Sequence, residues 1–342
     1  MKISSVQAIL LSYPFPDPIH LRYYGGERTI LKRDAMLIRV ETDKGIIGYA
    51  PGQATEAAKT AVDGPIAQFL NGRTLADPDA LRVLFLKETP EDEYLCRMYA
   101  SVEMALYDAL GKVKGLPVSV DRGRVRDRIR LYGSAGMYMP PEQYAEEAHA
   151  VASLGFRGYK MRPALGPEED LRTVKLMRKA VGSSLDLMVD AHTWWRMGDK
   201  SYGRETVEHL AQELAEYVIA WLEEPLPPDD HEAYIKLREA NYVPLASGEH
   251  EPDEQRFLDL IWNDCVDYVQ MDVICQGGFS IARRLITEIA GMNLKFAFHS
   301  WGTALEVAAA AQLGVCWPEN VVEWLEYPCY STSKLRACTP FP

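Results

Sequence analysis

The sequence predicts an α/β fold in which a closed parallel barrel of the (β/α)7β type follows an N-terminal α+β domain. From residue 126 onward, short apolar runs alternate with stretches whose apolar residues recur at helical spacing. Before that point, residues 1–50 alternate like antiparallel strands and residues 53–118 follow a helical pattern. No Gly/Ser linker separates the two parts. Eight strands with seven intervening helices fit a modified TIM barrel better than an open sheet.

The barrel strands are predicted from the apolar runs. They lie near residues 129–134, 157–162, 185–190, 218–223, 243–248, 267–272, 294–298 and 321–325. Helical patterns fill the gaps, as in residues 141–153, 167–181, 204–216 and 281–290. We therefore place the barrel domain at residues 126–326, and we expect the tail, residues 327–342, to pack on the N-terminal domain.

The N-terminal domain, residues 1–125, is predicted to cap the barrel. It begins with a strand near residues 3–12 and a hairpin whose strands, 35–42 and 45–50, flank Asp43-Lys44-Gly45. Residues 15–32, between the first two strands, are rich in Tyr and Gly and are long for a loop. Because long loops in compact domains often cover binding sites, we expect this segment to form a lid over the barrel.

Composition limits the possible partners. The chain has 342 residues and a net charge of −12, so it lacks the basic excess that a nucleic-acid partner requires. No apolar run approaches the ~20 residues of a membrane helix. The first residues lead into an alternating strand rather than a secretory signal, and the six cysteines are scattered. We expect a cytoplasmic protein that binds neither nucleic acid nor membranes.

Three acids stand at the ends of successive apolar runs. Asp190, Glu223 and Glu249 are 33 and 26 residues apart, which is the period of a strand–helix unit. Taken singly, each acid would be expected to cap the following helix. In a parallel barrel, however, the carboxyl ends of the strands meet on one rim, where three buried carboxylates repel one another. A hard divalent cation would relieve that repulsion, and oxygen ligands favour Mg²⁺.

Histidine and basic residues stand at other strand ends. His299 follows one apolar run and Asp272 ends the run before it. A carboxylate that binds one imidazole nitrogen fixes the tautomer and raises the basicity of the other nitrogen. Lys160 and Arg162 share one face of a strand, and His192 lies two residues after the first of the three acids. Arginine stays protonated and is a poor base, but its planar fork suits a carboxylate.

These residues and their surroundings resemble the enolase superfamily, in its mandelate racemase/muconate lactonizing branch. Residues 100–112, with Gly115-Leu116-Pro117-Val118, resemble the signature helix of the N-terminal domain, and residues 154–162 resemble the Lys-x-Lys segment of the second barrel strand. The later matches are Asp190, Glu223 in Glu-Glu-Pro, Glu249 in Gly-Glu-His, Asp272 in Gln-Met-Asp-Val, His299 in Phe-His-Ser-Trp-Gly-Thr, and Glu326 in Glu-Trp-Leu-Glu-Tyr. This ordered set covers nearly the whole chain.

The resemblance implies a Mg²⁺ site and a set of catalytic side chains. Asp190, Glu223 and Glu249 are expected to bind the ion, and Glu224 to lie outside its first shell. The expected catalytic residues are Lys160, Arg162, His192, Asp272, His299 and Glu326. The resemblance also implies a small carboxylate substrate and a homo-oligomer. Because a protonated Glu326 can donate a hydrogen bond, it would help Lys160 to offset charge on an enediolate.

Two departures from the family pattern bear on the reaction. The second lysine of Lys-x-Lys is Arg162, and His192 stands where many members have Asn. The first change weakens a two-base racemase, and the second resembles the sugar-acid dehydratases that carry Asp-x-His on the third strand. We therefore expect a Mg²⁺-dependent acid-sugar dehydratase. The alternatives are a racemase or epimerase that uses Lys160 and His299, and a catalytically silent member that binds anions.

Overall fold

The computed structural model describes residues 1–89 and 92–329. Its first part is an antiparallel sheet in the order β1-β2-β3, covered by helices. The strands are β1 (Ile3–Tyr23), β2 (Gly26–Thr42) and β3 (Ile47–Gly52), and the helices are α1 (Glu56–Ala61), α2 (Ala67–Leu70), α3 (Pro78–Glu88), α4 (Glu93–Lys114) and α5 (Val118–Asp121). A π-helical turn, Val62–Ile66, joins the first two helices. The prediction of an N-terminal α+β cap is confirmed.

The second part is a closed barrel of eight parallel strands, in the order β10-β11-β4-β5-β6-β7-β8-β9. Its strands are β4 (Arg130–Met137), β5 (Gly158–Arg162), β6 (Asp186–Asp190), β7 (Trp221–Glu223), β8 (Leu245–Ser247), β9 (Tyr268–Met271), β10 (Lys295–Phe298) and β11 (Val322–Pro328). The helices between them are α6 (Pro141–Ser153), α7 (Pro167–Val181), α8 (Arg204–Leu214), α9 (His231–Glu239), α10 (Glu254–Trp262), α11 (Gly278–Gly291) and α12 (Ala304–Gly314). This architecture confirms the predicted (β/α)7β barrel.

Of the domain boundaries placed from the sequence, one falls between two elements and one falls inside a strand. The boundary at residues 125 and 126 falls between α5 and β4. The predicted end of the barrel, residue 326, lies inside β11. Residues 330–342, which make up most of the predicted tail contact, lie outside the described residues. Within the described part of the chain, no helix is both long enough and apolar enough to span a membrane.

Alternation along the barrel strands carries the polar side chains to one end of the interior. A closed layer of apolar side chains fills the middle of the barrel: Tyr132, Met188, Trp221, Ala246, Tyr268, Ala297 and Trp324. Residues two positions further along each strand also point inward, one layer nearer the carboxyl ends. Those positions hold Ser134, Asp190, Glu223, Gly248, Gln270, His299 and Glu326, and Lys160 follows Gly158 in the same way. Inside the barrel, a polar layer therefore lies directly on the apolar layer.

The segment predicted as a long loop is instead a continuation of two strands. Strands β1 and β2 stay paired from Ile3 opposite Thr42 to Tyr23 opposite Gly26. The pairing slips between Pro14 and Ile19, where residues 15–18 face a single residue of β2. Pro14, Pro16 and Pro18 provide no backbone donors, so this stretch forms a bulge rather than a regular ladder. The loop prediction was wrong because the prolines concealed the two strands.

The tip of this hairpin contacts the carboxyl-terminal end of the barrel. The Tyr24 backbone N–H donates to the Ala164 carbonyl at 2.7 Å. The Tyr23 and Tyr138 rings lie 4.9 Å apart, and a Cβ on Gly25 would lie 2.7 Å from Met197. Residues 15–32 therefore lie over the end of the barrel at which the predicted catalytic residues meet.

Candidate active site

Lys160 lies at the centre of the polar layer and is fully buried. Its Nζ is 2.5 Å from Glu223 Oε1, 3.2 Å from Glu326 Oε1 and 3.4 Å from Asp190 Oδ2. Burial alone would lower the pKa of Lys160, but the surrounding carboxylates outweigh burial and raise that pKa well above its usual value. In this arrangement Lys160 is a fixed positive charge, not a proton acceptor.

Arg162 forms the second cation of the layer. Its Nε lies 2.7 Å from Asp190 Oδ2, and its guanidinium packs 3.9 Å from the centre of the Trp301 ring. Burial would lower the pKa of Arg162, but Asp190 and Glu326 raise it. The side chain therefore remains charged and, as expected from the sequence, is not suited to act as a base.

Glu223 and Glu224 are both fully buried but face different groups. Glu223 Oε2 accepts hydrogen bonds from Trp221 Nε1 and Gln270 Nε2, each at 2.9 Å. Glu224 has a φ of 44°, and this left-handed conformation turns its side chain away from the strand alternation. Its Oε2 lies 2.5 Å from His250 Nδ1. No residue pattern marks this conformation, so the Glu224–His250 pair was missed.

Glu249 is bracketed by three imidazoles. Its Oε2 lies 2.7 Å from His299 Nε2, and its Oε1 lies 3.4 Å from His250 Nδ1 and 4.0 Å from His192 Nδ1. Burial would raise the pKa of Glu249, but His299 and His192 lower it. Glu249 is therefore a carboxylate that lies within 4.0 Å of a ring nitrogen of each predicted catalytic histidine.

Two sets of side chains are candidates for binding a divalent cation, one expected from the sequence and one whose ligand atoms the structure brings close together. Asp190, Glu223 and Glu249 all reach the carboxyl-terminal rim, but Lys160 lies between the first two and His192 between Asp190 and Glu249. Glu224, Glu249 and His250 place one ligand atom each within 4.8 Å of one another. Both sets contain Glu249.

Unsatisfied oxygens support a cation at this rim. Within residues 1–89 and 92–329, Glu224 Oε1 has no hydrogen-bond partner, and Asp190 Oδ2 and Glu249 Oε2 have none of good geometry, although Arg162 Nε and His299 Nε2 each lie 2.7 Å from one of them. Burying such oxygens is costly unless a charge compensates them. Clustered carboxylate oxygens are the ligands that Mg²⁺ prefers, so the residues present fit the ion.

His299 lies between Asp272 and the acidic rim. Its Nδ1 is 3.4 Å from Asp272 Oδ2, which is long for a direct hydrogen bond, and its Nε2 is 3.6 Å from Glu326 Oε2. Burial would lower the pKa of His299, but Glu249 and Glu326 raise it well above its usual value. The predicted Asp272–His299 pair is thus brought together, with a carboxylate on each side of the ring.

Glu326 and His192 complete the set predicted from the sequence. Burial would raise the pKa of Glu326, but Lys160, His299 and Arg162 lower it, which disfavours the protonated form that we considered. The Ser300 backbone N–H donates to Glu326 Oε2 at 2.9 Å. His192 Nδ1 lies 2.6 Å from Asp190 Oδ1, and its side chain is half-buried. His192 follows β6 and His299 follows β10, and these two strands lie on opposite sides of the closed barrel.

Comparison with known proteins adds a family context to this geometry. Residues 143–338 match the family model described as "Enolase C-terminal domain-like". Residues 14–120 match the model for the mandelate racemase/muconate lactonizing enzyme N-terminal domain. Together the two models span both domains of the chain.

Named relatives include isomerases and a lyase. A D-galactarolactone cycloisomerase of Agrobacterium fabrum is 26% identical over 91% of this chain and 82% of its own length. An L-rhamnonate dehydratase of Saccharopolyspora erythraea is 30% identical over 72% of this chain, which spans 62% of that relative. A crystal structure of the 3,6-anhydro-D-galactonate cycloisomerase from Zobellia galactanivorans is 27% identical, with a TM-score of 0.83, and the match covers 98% of this chain and 90% of that one.

Proposed function

Because the chain belongs to the enolase superfamily, we propose that it is a Mg²⁺-dependent acid-sugar dehydratase. It removes water from a sugar acid through an enediolate intermediate and gives a 2-keto-3-deoxy acid. One observation carries this choice over an isomerase. Two imidazoles, His299 and His192, reach the acidic rim from different strands, while Arg162 is held as a permanent cation.

A dehydratase needs one base and one acid. His299, held between Asp272 and Glu249, is the group proposed to remove the α-proton. His192, which contacts Asp190, is proposed to protonate the departing β-hydroxyl. Positioned proton-transfer groups of this kind typically contribute ~10²–10⁴-fold to a rate.

The remaining polar residues are proposed to position and stabilise charge. Asp190, Glu223 and Glu249 would hold Mg²⁺, and the ion would supply positive charge that offsets the charge developing on the substrate carboxylate. Lys160 contributes a fixed positive charge, and Arg162 offers a planar fork for a carboxylate oxygen. Glu326 holds Lys160 in place at 3.2 Å.

The isomerase alternative is favoured by the cycloisomerases among the relatives. A two-base racemase or epimerase would use Lys160 opposite His299. Against this role, Lys160 is fully buried among Glu223, Glu326 and Asp190, a position that suits a fixed positive charge better than a second base. A catalytically silent member that binds anions would keep the cations but show no turnover.

A screen of sugar mono- and diacids with Mg²⁺, read by 2-keto acid formation, tests the proposal. We expect product with at least one acid and none after removal of Mg²⁺ by a chelator. Epimerisation without 2-keto product would favour the isomerase alternative instead.

A further inference from the structure

A cavity of about 490 Å³ lies between the N-terminal hairpin and the barrel. Its walls come from four parts of the fold: the paired ends of β1 and β2, residues 135–140 at the end of β4, Gln143 and Glu147 in α6, and Trp301 in the loop after β10. A volume of this size falls in the range of small-molecule sites.

The cavity adjoins the proposed catalytic residues. Trp301 lines the cavity, and the same ring packs on the Arg162 guanidinium. Tyr138 also lines the cavity, and its hydroxyl lies 2.7 Å from the hydroxyl of Thr193, the residue after His192. The cavity therefore lies beside the side chains that are proposed to bind the substrate.

Most charged groups that line the cavity are already compensated by protein groups. Lys32 pairs with Asp34 at 2.8 Å. Arg33 donates to the carbonyl of Trp301 at 2.8 Å. The buried Glu147 carboxylate accepts a hydrogen bond from Tyr159.

Arg28 is the exception among these side chains. Over residues 1–89 and 92–329, the exposed side chain of Arg28 forms no ion pair and no hydrogen bond with another protein group. It stands opposite Leu21 in the hairpin register, and Ile19 and Ile30 share that face of the sheet by alternation. All four of these side chains line the cavity. An uncompensated guanidinium at the edge of a cavity, in a chain of net charge −12, is suited to bind an anion.

We propose that this cavity receives the distal end of the substrate and that Arg28 binds a second carboxylate there. The substrate class is then the sugar diacids, with one carboxylate at the acidic rim and one at Arg28. This inference rests on the proposed function, which supplies the first carboxylate. A monoacid of the same length would present a hydroxyl group to Arg28 and would lack the charge-assisted pair.

The experiment compares Arg28→Met with Arg22→Met. Arg22 is on the same hairpin, opposite Glu27, and does not line the cavity. Binding with Mg²⁺ is measured by calorimetry, and kcat/KM by 2-keto acid formation, for galactarate and galactonate. These acids share the configuration at the reacting carbons and differ at the far end.

We expect the unmodified protein to favour galactarate, and Arg28→Met to weaken its binding and kcat/KM by about 10–100-fold, the size of one charge-assisted interaction. Galactonate should change by less than about 3-fold, and Arg22→Met should change neither acid. Equal losses for both acids in Arg28→Met, or preference of the unmodified protein for the monoacid, would overturn the proposal. Binding of neither acid would also overturn it.

The two proposals can fail separately. If no acid yields a 2-keto product but galactarate binding still falls selectively in Arg28→Met, the dehydratase function fails and the diacid site stands. If 2-keto product forms but the loss is not selective, the dehydratase stands and the diacid site fails.

Discussion

The Lys160 ammonium lies 2.5 Å from Glu223 Oε1, and both side chains are fully buried. Burial raises the pKa of Glu223 to about 7, with a smaller contribution from Asp190, Glu249 and Glu326, and Lys160 opposes this rise only in part. The two cations of the layer, Lys160 and Arg162, are therefore outnumbered by the carboxylates around them. Negative charge in excess of this kind favours the binding of a divalent cation.

The first prediction concerns this cation. Saturating Mg²⁺, at about 100 times its dissociation constant, should stabilise the protein by about 2.7 kcal/mol, or roughly 5 °C in Tm. Glu249→Gln, which alters the residue common to both ligand sets, should abolish the Mg²⁺-dependent rise. Thermal unfolding with and without Mg²⁺ measures this rise for the unmodified protein and for the variant.

Two further variants distinguish the ligand sets. Asp190→Asn should abolish the Mg²⁺-dependent rise, whereas Glu224→Gln should keep it. The opposite pattern would assign the ion to Glu224, Glu249 and His250 and would overturn the set expected from the sequence.

The second prediction concerns the hairpin tip. Because a Cβ at Gly25 would lie 2.7 Å from Met197 Cβ and Cγ, Gly25→Ala should push the tip away from the barrel. We expect a several-fold rise in KM with a smaller change in Tm. Gly291→Ala, which has open space around the new methyl group, is the matched control. An unchanged KM in Gly25→Ala would show that the tip does not cover the site.

The third prediction concerns the pH dependence of stability at the contact between the domains. Glu103 in α4 is fully buried, and its carboxylate accepts hydrogen bonds from Ser280 in α11. Burial raises its pKa to about 7, against which Arg82 acts only in part. The unfolded chain therefore releases the Glu103 proton from about pH 4.5 upward, whereas the folded protein keeps it until about pH 7. The free energy of unfolding falls as the pH rises through this range.

Glu103→Gln removes this titration and tests the effect. Between pH 5 and pH 8, this titration should lower the unfolding free energy of the unmodified protein by ~2 kcal/mol. In Glu103→Gln the decrease over the same range should be smaller by that amount. Denaturant unfolding at both pH values measures it, with the exposed Glu146→Gln as control. A variant with the same pH dependence as the unmodified protein would contradict the assignment.

The barrel and most side chains of the polar layer could be predicted because both depend on local periodicity. An apolar run followed by an acid or a histidine identifies a strand end, and closure of the barrel brings the ends together. Asp190, Glu223, Glu249 and His299 were found in this way. The resemblance to a known family added Glu326.

Other features depend on long-range contacts or on single backbone angles, which one sequence does not reveal. The left-handed backbone at Glu224 aims its carboxylate at His250, and no residue pattern marks that angle. The hairpin over residues 15–32 was mistaken for a loop because three prolines break its ladder. The Arg28 cavity arises only when the hairpin lies beside β4 and Trp301.

The central claim is that His299 removes the α-proton and His192 assists the departing hydroxyl. The most direct measurement is exchange of the substrate α-proton with solvent deuterium, followed by NMR together with 2-keto acid formation. His299→Asn should lose both by ~10²–10⁴-fold, whereas His192→Asn should lose dehydration but retain exchange. Exchange at the normal rate in His299→Asn would contradict the account, assign the base role to Lys160 and favour the isomerase.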